Sequence, residues 1–266
     1  MEDARALIRW YLESGVDEAI GEAPIDRTRA APAPPPAEIA APAVASPAPR
    51  PAPASAPTVP PTALAGDARG VAARADSIAA LRRALETFEG CALRRTATHL
   101  VFTDGAEDAP LMVVGEAPGA DEDRVGRPFV GVSGQLLDRM LGAIGRERKS
   151  NVLISNIVFW RPPGNRKPTT DEIAICLPFV ERLIALVRPK VLLLAGATPT
   201  SALLRRSDPV SRLRGRWLDW TPTGGTDPIA TLATYHPAYL LRQPLAKRDA
   251  WKDLLTVKAR LAAEPR

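Results

Sequence analysis

Glu116, Glu122, Asn156 and His236 are the side chains in this 266-residue chain whose chemical types and settings best suit catalysis. Each stands in or just beyond an apolar run that reads as a strand, and in an open α/β sheet ligands bind at the carboxyl ends of the strands. The run Leu111-Met112-Val113-Val114 suits a strand buried on both faces, and Gly115 closes it. Glu116, Ala117, Pro118 and Gly119 then turn the chain, with Glu122 and Asp123 just beyond, so carboxylates and free backbone N–H groups share one strand end. Gly126-Arg127-Pro128-Phe129 sets one aromatic ring in a polar loop beside those carboxylates. Such a ring can be core, or it can be a stacking platform for a planar ligand. Ser133 is placed to cap a helix with Leu136, Leu137, Met140, Leu141 and Ile144 on one face.

Two further loops carry chemistry. Asn156 lies just before Arg161-Pro162-Pro163-Gly164-Asn165-Arg166-Lys167-Pro168, a loop stiffened by prolines that presents three cations, and stiffness lowers the ordering cost of binding. The run Tyr235-His236-Pro237-Ala238-Tyr239-Leu240-Leu241-Arg242 follows another strand pattern and holds one of only two histidines. Taken singly, His236 reads as a structural histidine and Leu240-Leu241 as a core pair. Function enters because all three loops leave the same sheet edge.

The elements that must position these loops are a mostly parallel sheet with helices on both faces. Strand patterns at residues 99–103, 111–115, 152–159, 191–196 and 229–236 alternate with helical ones, among them 78–88 and 133–144. Thr169 and Glu172 form a capping box that opens a long helix. Gly196-Ala197-Thr198 reads as a strand-to-helix junction whose ordinary role is close packing. Residues 76–266 therefore make one α/β domain, a three-layer α/β/α sandwich. Residues 1–30 hold a short amphipathic helix with Leu7, Ile8, Trp10, Tyr11 and Leu12, and residues 31–75 form a Pro- and Ala-rich tether expected to be disordered. Gly21-Glu22-Ala23-Pro24 repeats Gly115 to Pro118 by chance, since no apolar strand precedes it. With 45% hydrophobic residues the chain can bury one substantial core, and its net charge of +5 favours a polyanionic partner. Two cysteines are too few for a disulfide framework, no apolar run reaches the roughly 18 residues of a membrane span, and no signal-peptide profile opens the chain. A cytoplasmic, monomeric protein acting at the nucleoid, with no membrane association, is expected.

Together the three motifs resemble those of the family 4 uracil-DNA glycosylases: Gly115-Glu-Ala-Pro-Gly119 with Glu122, Asp123 and Phe129; Asn156 with Arg161-Pro-Pro-Gly-Asn-Arg166; and His236-Pro-Ala-Tyr-Leu-Leu-Arg242. The resemblance runs from about Phe88 to Leu255. It implies hydrolysis of the bond between uracil and deoxyribose, in single- or double-stranded DNA, after the nucleotide is flipped into a pocket. By resemblance Phe129 stacks on the base, the Asn156 amide reads its N3 and O4 edge, and His236 sits by O2, where negative charge grows. Gly115, Ala117 and Gly119 then line the pocket, Leu240 and Leu241 wedge into the vacated stack, and Arg161, Arg166, Lys167 and Arg242 contact phosphates. Ala117 stands where the family 1 branch has an aspartate that positions water, which leaves Glu116 and Glu122 as the nearby carboxylates. Two rival readings are a glycosylase for another deaminated base and a DNA-binding module without catalysis.

The resemblance also implies a four-iron cluster on four cysteines, of which this chain keeps Cys91 and Cys176 and replaces the others with Phe88 and Trp160. A cubane cluster needs four thiolate-type ligands, so no such cofactor is expected, and the four residues should instead form an apolar plug. A repair or replication protein is the expected partner of the N-terminal helix.

Overall fold

Successive residues of the apolar runs alternate between two cores, as strands covered on both faces require. The computed structural model describes residues 61–263 apart from Gly224 and Thr226, so the amphipathic segment at 1–30 and the tether up to residue 60 lie outside the described residues. Six strands, β1 (Thr103–Gly105), β2 (Leu111–Gly115), β3 (Val152–Asn156), β4 (Val191–Ala195), β5 (Trp217–Trp220) and β6 (Ile229–Thr234), form one sheet in the order β1-β3-β2-β4-β6-β5. The inner four run parallel, and β1 and β5 close the edges antiparallel. Met112 and Val114 of β2 face a core shared with Phe179 and Leu183, whereas Leu111 and Val113 face one shared with Leu137, Leu141 and Leu254.

The helices supplying those residues make the outer layers. One layer contains α1 (Pro61–Ala73), α2 (Ile78–Thr87) and α5 (Thr170–Val187); the other contains α4 (Val132–Gly142) and α9 (Lys247–Ala263). Short helices α3 (Ala120–Val125), α6 (Ala197–Leu204), α7 (Val210–Leu213) and α8 (Pro237–Arg242) connect them. The capping box at the start of α5 is formed, with Thr169 Oγ1 accepting from Glu172 N at 3.2 Å and Glu172 Oε2 accepting from Thr169 N at 2.7 Å. The three-layer α/β/α sandwich is thus as expected.

Four expectations are corrected. Residues 61–73, expected to belong to the tether, form α1, which packs on α5 and buries Ala68, Ala72 and, just beyond it, Ala75. The physical reason is that prolines cease after Pro61, a favoured helix-start position, and alanine without proline is the strongest helix former. Arg182 Nε donates to Ala75 O at 2.8 Å and ties the end of this segment to α5. Residues 99–102 precede the strand rather than form it: Thr98 N and His99 N donate to Asp123 Oδ1, at 2.8 and 3.1 Å, and pairing with β3 begins only at Thr103. Strand β5 was not anticipated, because its Trp-Leu-Asp-Trp sequence lies on an edge where only part of each face is covered. Gly131, not Ser133, is the N-cap of α4.

The α1 contacts carry a stability prediction. Deleting residues 1–60 should leave the melting temperature within about 2 °C of the full chain, whereas deleting 1–73 should lower it by about 5 °C or more, since the second cut strips an α5 face of its cover. Equal melting curves for the two truncations, measured by circular dichroism, would count against α1 as part of the domain.

Candidate functional site

The carboxyl ends of β2, β3, β4 and β6 open on one cavity of about 530 Å³, lined by Glu116 to Gly119, Glu122, Phe129, Asn156, Gly196 and His236, with Arg166, Lys167, Tyr239 and Arg242 at its margin. The floor is set by sheet register. Gly115 is paired with Asn156, and the next residues stay bonded, with Ile157 N donating to Gly115 O and Val158 N to Glu116 O. A Cβ at position 115 would lie 2.5 Å from both Asn156 Oδ1 and the Phe129 ring, so only glycine lets the amide and the ring share this floor. Asn156 is 1% exposed, and its Oδ1 has no hydrogen-bond partner among the described residues. A buried acceptor left unsatisfied is costly, and at a pocket floor it is poised for a donor that arrives with a ligand.

Phe129 is buried and holds its backbone at φ 54°, a left-handed conformation that bulky residues avoid. Its ring stacks against the His236 imidazole, with centroids 5.5 Å apart and planes 29° apart. Glu122 secures the following residues: its Oε1 accepts from Val130 N and Gly131 N, both at 2.9 Å, and its Oε2 from Gly119 N at 3.0 Å. Three of the roughly four acceptor positions of a carboxylate are therefore committed to backbone. Glu122 shapes the pocket wall and has little capacity left to act as a base. Glu116 differs, because its Oε2 accepts one hydrogen bond, from Thr198 Oγ1 in the first turn of α6, and no other side chain among the described residues holds the carboxylate. Thr198 escaped sequence reasoning, since a lone Gly-Ala-Thr turn carries no sign of what its hydroxyl faces.

His236 is the N-cap of α8, and its Nδ1 accepts from Ala238 N at 3.1 Å. That bond fixes the tautomer: in the neutral ring the proton sits on Nε2. Burial pushes the imidazole below the ordinary histidine range; nearby Glu116 opposes the shift and Arg242 adds to it. Gly196, at φ 108°, lets the β4 end approach, since a Cβ there would stand 3.1 Å from His236 Cβ. The ring is thus a neutral hydrogen-bond donor in a low-dielectric wall.

The cationic rim divides. Arg166 binds Glu172 through two bonds, of 2.9 and 2.6 Å, and its guanidinium holds that carboxyl below the usual carboxylate range. It pins the loop to the start of α5. Arg161 Nε donates to Asn165 Oδ1 at 2.7 Å within the same loop, while Lys167 and Arg242 are exposed. The two leucines divide as well. Leu240 is 1% exposed and packs with Leu136 and Ala250, so it is core; Leu241 is 38% exposed and stands on the outer face of α8. Helical phase is the reason, as neighbours along α8 point about 100° apart.

Phe88, Cys91, Trp160 and Cys176 all belong to one buried cluster. The neighbouring Cys91 thiol and burial together push the Cys176 thiol well above its ordinary range, and Phe88 meets Phe179 edge-on at 5.0 Å. Two thiols and two aromatic rings do not provide the ligand set of a four-iron cluster.

Comparison with known proteins gives the same direction. A family model described as the uracil DNA glycosylase superfamily matches residues 102–255. The type-4 uracil-DNA glycosylase of Thermotoga maritima is 40% identical over 153 residues, covering 57% of this chain and 77% of that protein. Its counterpart in Saccharolobus solfataricus is 36% identical over 179 residues, covering 66% and 82%, and that in Sulfurisphaera tokodaii is 33% identical over 195 residues, covering 72% and 87%.

Proposed function

The chain belongs to the uracil DNA glycosylase superfamily, and from that premise we propose that it removes uracil from DNA by hydrolysing the N-glycosidic bond of a flipped nucleotide. The observation that carries this reading is the buried, unpartnered Asn156 Oδ1 beside the Phe129 ring. Uracil offers an N3–H donor and an O4 acceptor, which the two ends of an amide match; cytosine presents the reverse polarity and would leave both amide atoms opposed. The Phe129 face supplies a stacking surface for the planar base.

As the glycosidic bond breaks, negative charge moves onto uracil O2. The Nε2–H of a neutral His236, already oriented by Ala238 N, donates to it, and this interaction strengthens towards the transition state. The sugar becomes strongly electrophilic, so the water needs orientation more than deprotonation. Glu116, with acceptor capacity to spare, and the backbone of the Gly115 to Gly119 turn supply that orientation. Leu241 fills the gap left in the stack, and Lys167 and Arg242 meet phosphates.

Labelled oligonucleotides carrying uracil, hypoxanthine, xanthine or thymine opposite guanine test the assignment. Abasic sites should form on the uracil strand. Release of a different base alone would shift the substrate class, and no product from any strand would leave a binding module.

No step of this chemistry passes through a metal cluster. The Phe88, Cys91, Trp160 and Cys176 cluster has the donors of a packed core, and large rings fill space that would otherwise be a costly cavity. The purified protein should therefore be colourless, with iron well below stoichiometric and full activity after chelation. Stoichiometric iron and sulfide would refute this.

A further inference from the structure

We propose that Arg148 is a positioning residue of this site, its guanidinium fixing the Pro128–Phe129 backbone that carries the stacking ring. The inference rests on the uracil-excision reading above. Arg148 lies outside all three motifs, in the turn before β3, and does not line the cavity. Its Nη1 donates to Pro128 O at 2.7 Å, and its Nη2 donates to Phe129 O. Two carboxylates hold the fork from behind, Asp104 Oδ2 at 3.0 Å from Nη1 and Asp138 Oδ1 at 2.7 Å from Nε. Only 14% of the side chain is exposed.

The opposite charge grips the same loop one residue further on, where Glu122 accepts from Val130 N and Gly131 N. A cation thus takes the carbonyls and an anion the amides on either side of a residue in an unfavoured backbone conformation. From α4 the loop is buttressed by Gly134, where a Cβ would stand 1.9 Å from Phe129 O. Together these contacts leave the Phe129 peptide one orientation, which sets the ring near-parallel to His236. Lysine could keep the charge but not the planar fork that spans two carbonyls and two carboxylates. Without the fork the Phe129 peptide can relax, and the ring leaves the face of the base.

A double-mutant cycle tests the route of action. In single-turnover assays on a uracil oligonucleotide, Arg148→Met should lower kcat/KM about 30-fold, and Arg148→Lys should restore less than about threefold of it; in a Phe129→Leu background Arg148→Met should cost under about threefold. Losses that multiply in both backgrounds would overturn the proposal. Should Arg148→Met not fold, the same cycle is run with Arg148→Lys. A second readout does not depend on catalysis: 4-fluorophenylalanine at position 129 of the full chain should give one sharp ¹⁹F resonance, and Arg148→Lys should shift or broaden it. An unchanged resonance would also overturn the proposal. A parent that releases no uracil but shows the ¹⁹F change would instead mean that the functional reading failed while the positioning role stands.

Discussion

Asn156→Asp should abolish uracil excision, with a fall on the order of 10³-fold or more in kcat/KM, while the far-ultraviolet spectrum stays that of the folded parent. The change is nearly isosteric, so the Gly115–Phe129 packing around the side chain persists. What changes is polarity: the donor facing uracil O4 becomes an acceptor, and a carboxylate is asked to sit where the amide is 1% exposed. The parent already tolerates one unsatisfied oxygen on this floor. A site built to complete its hydrogen bonds only with the right base discriminates strongly, because a wrong partner leaves buried polar groups opposed. Single-turnover excision within a few-fold of the parent would remove Asn156 from the pocket assignment.

His236→Ala should cost about 2.7–4 kcal/mol of transition-state stabilisation, a loss of roughly 100- to 1,000-fold in kcat, by analogy with removing one donor from an oxyanion site. The substitution should leave KM far less affected, since the bond to O2 gains strength only as charge develops. A pH experiment separates this role from simple packing. Burial lowers the His236 pKa in the folded chain, and protonation would also set an N–H against Ala238 N. With a depressed native value, the neutral ring's contribution to stability is present above the unfolded pKa of about 6.5 and is lost as pH falls through the native value. The parent should accordingly lose melting temperature over that window more steeply than His236→Ala. Parallel pH profiles for the two proteins would show that His236 is not held neutral by its surroundings.

The parts of this protein legible in the sequence are those whose signal is local. Leu111 to Gly115 announces a strand and a turn within five residues; Asn156 ends β3, and His236 stands two residues beyond the end of β6, as the N-cap of α8. Three-dimensional partnership is where legibility stops. Arg148 reaches Pro128, Phe129, Asp138 and Asp104 across stretches of 10 to 44 residues, and no pattern in any one stretch records that convergence. Leu240 and Leu241 are adjacent in type and position, yet one is core and the other rim, which depends on the phase of a six-residue helix. Arg166 and Glu172 each had a plausible separate role, but the fold brings them together. Helix α1 was hidden by composition: the alanines that spaced prolines in the tether became helix formers once the prolines stopped.

The Gly115–Asn156 pairing also sets how this domain can change length over evolutionary time. Side chains along a strand alternate faces, so one residue inserted between Val152 and Asn156 would turn the amide into the opposite layer and put Ser155, or the inserted residue, opposite Gly115. The turn at residues 205–209, between α6 and α7, contributes no cavity-lining residue among those that border the base pocket and can lengthen with no effect on chemistry. Insertions and deletions in a lineage of such chains should therefore collect in turns of that kind, while the spacing from Val152 to Asn156 stays constant to the residue.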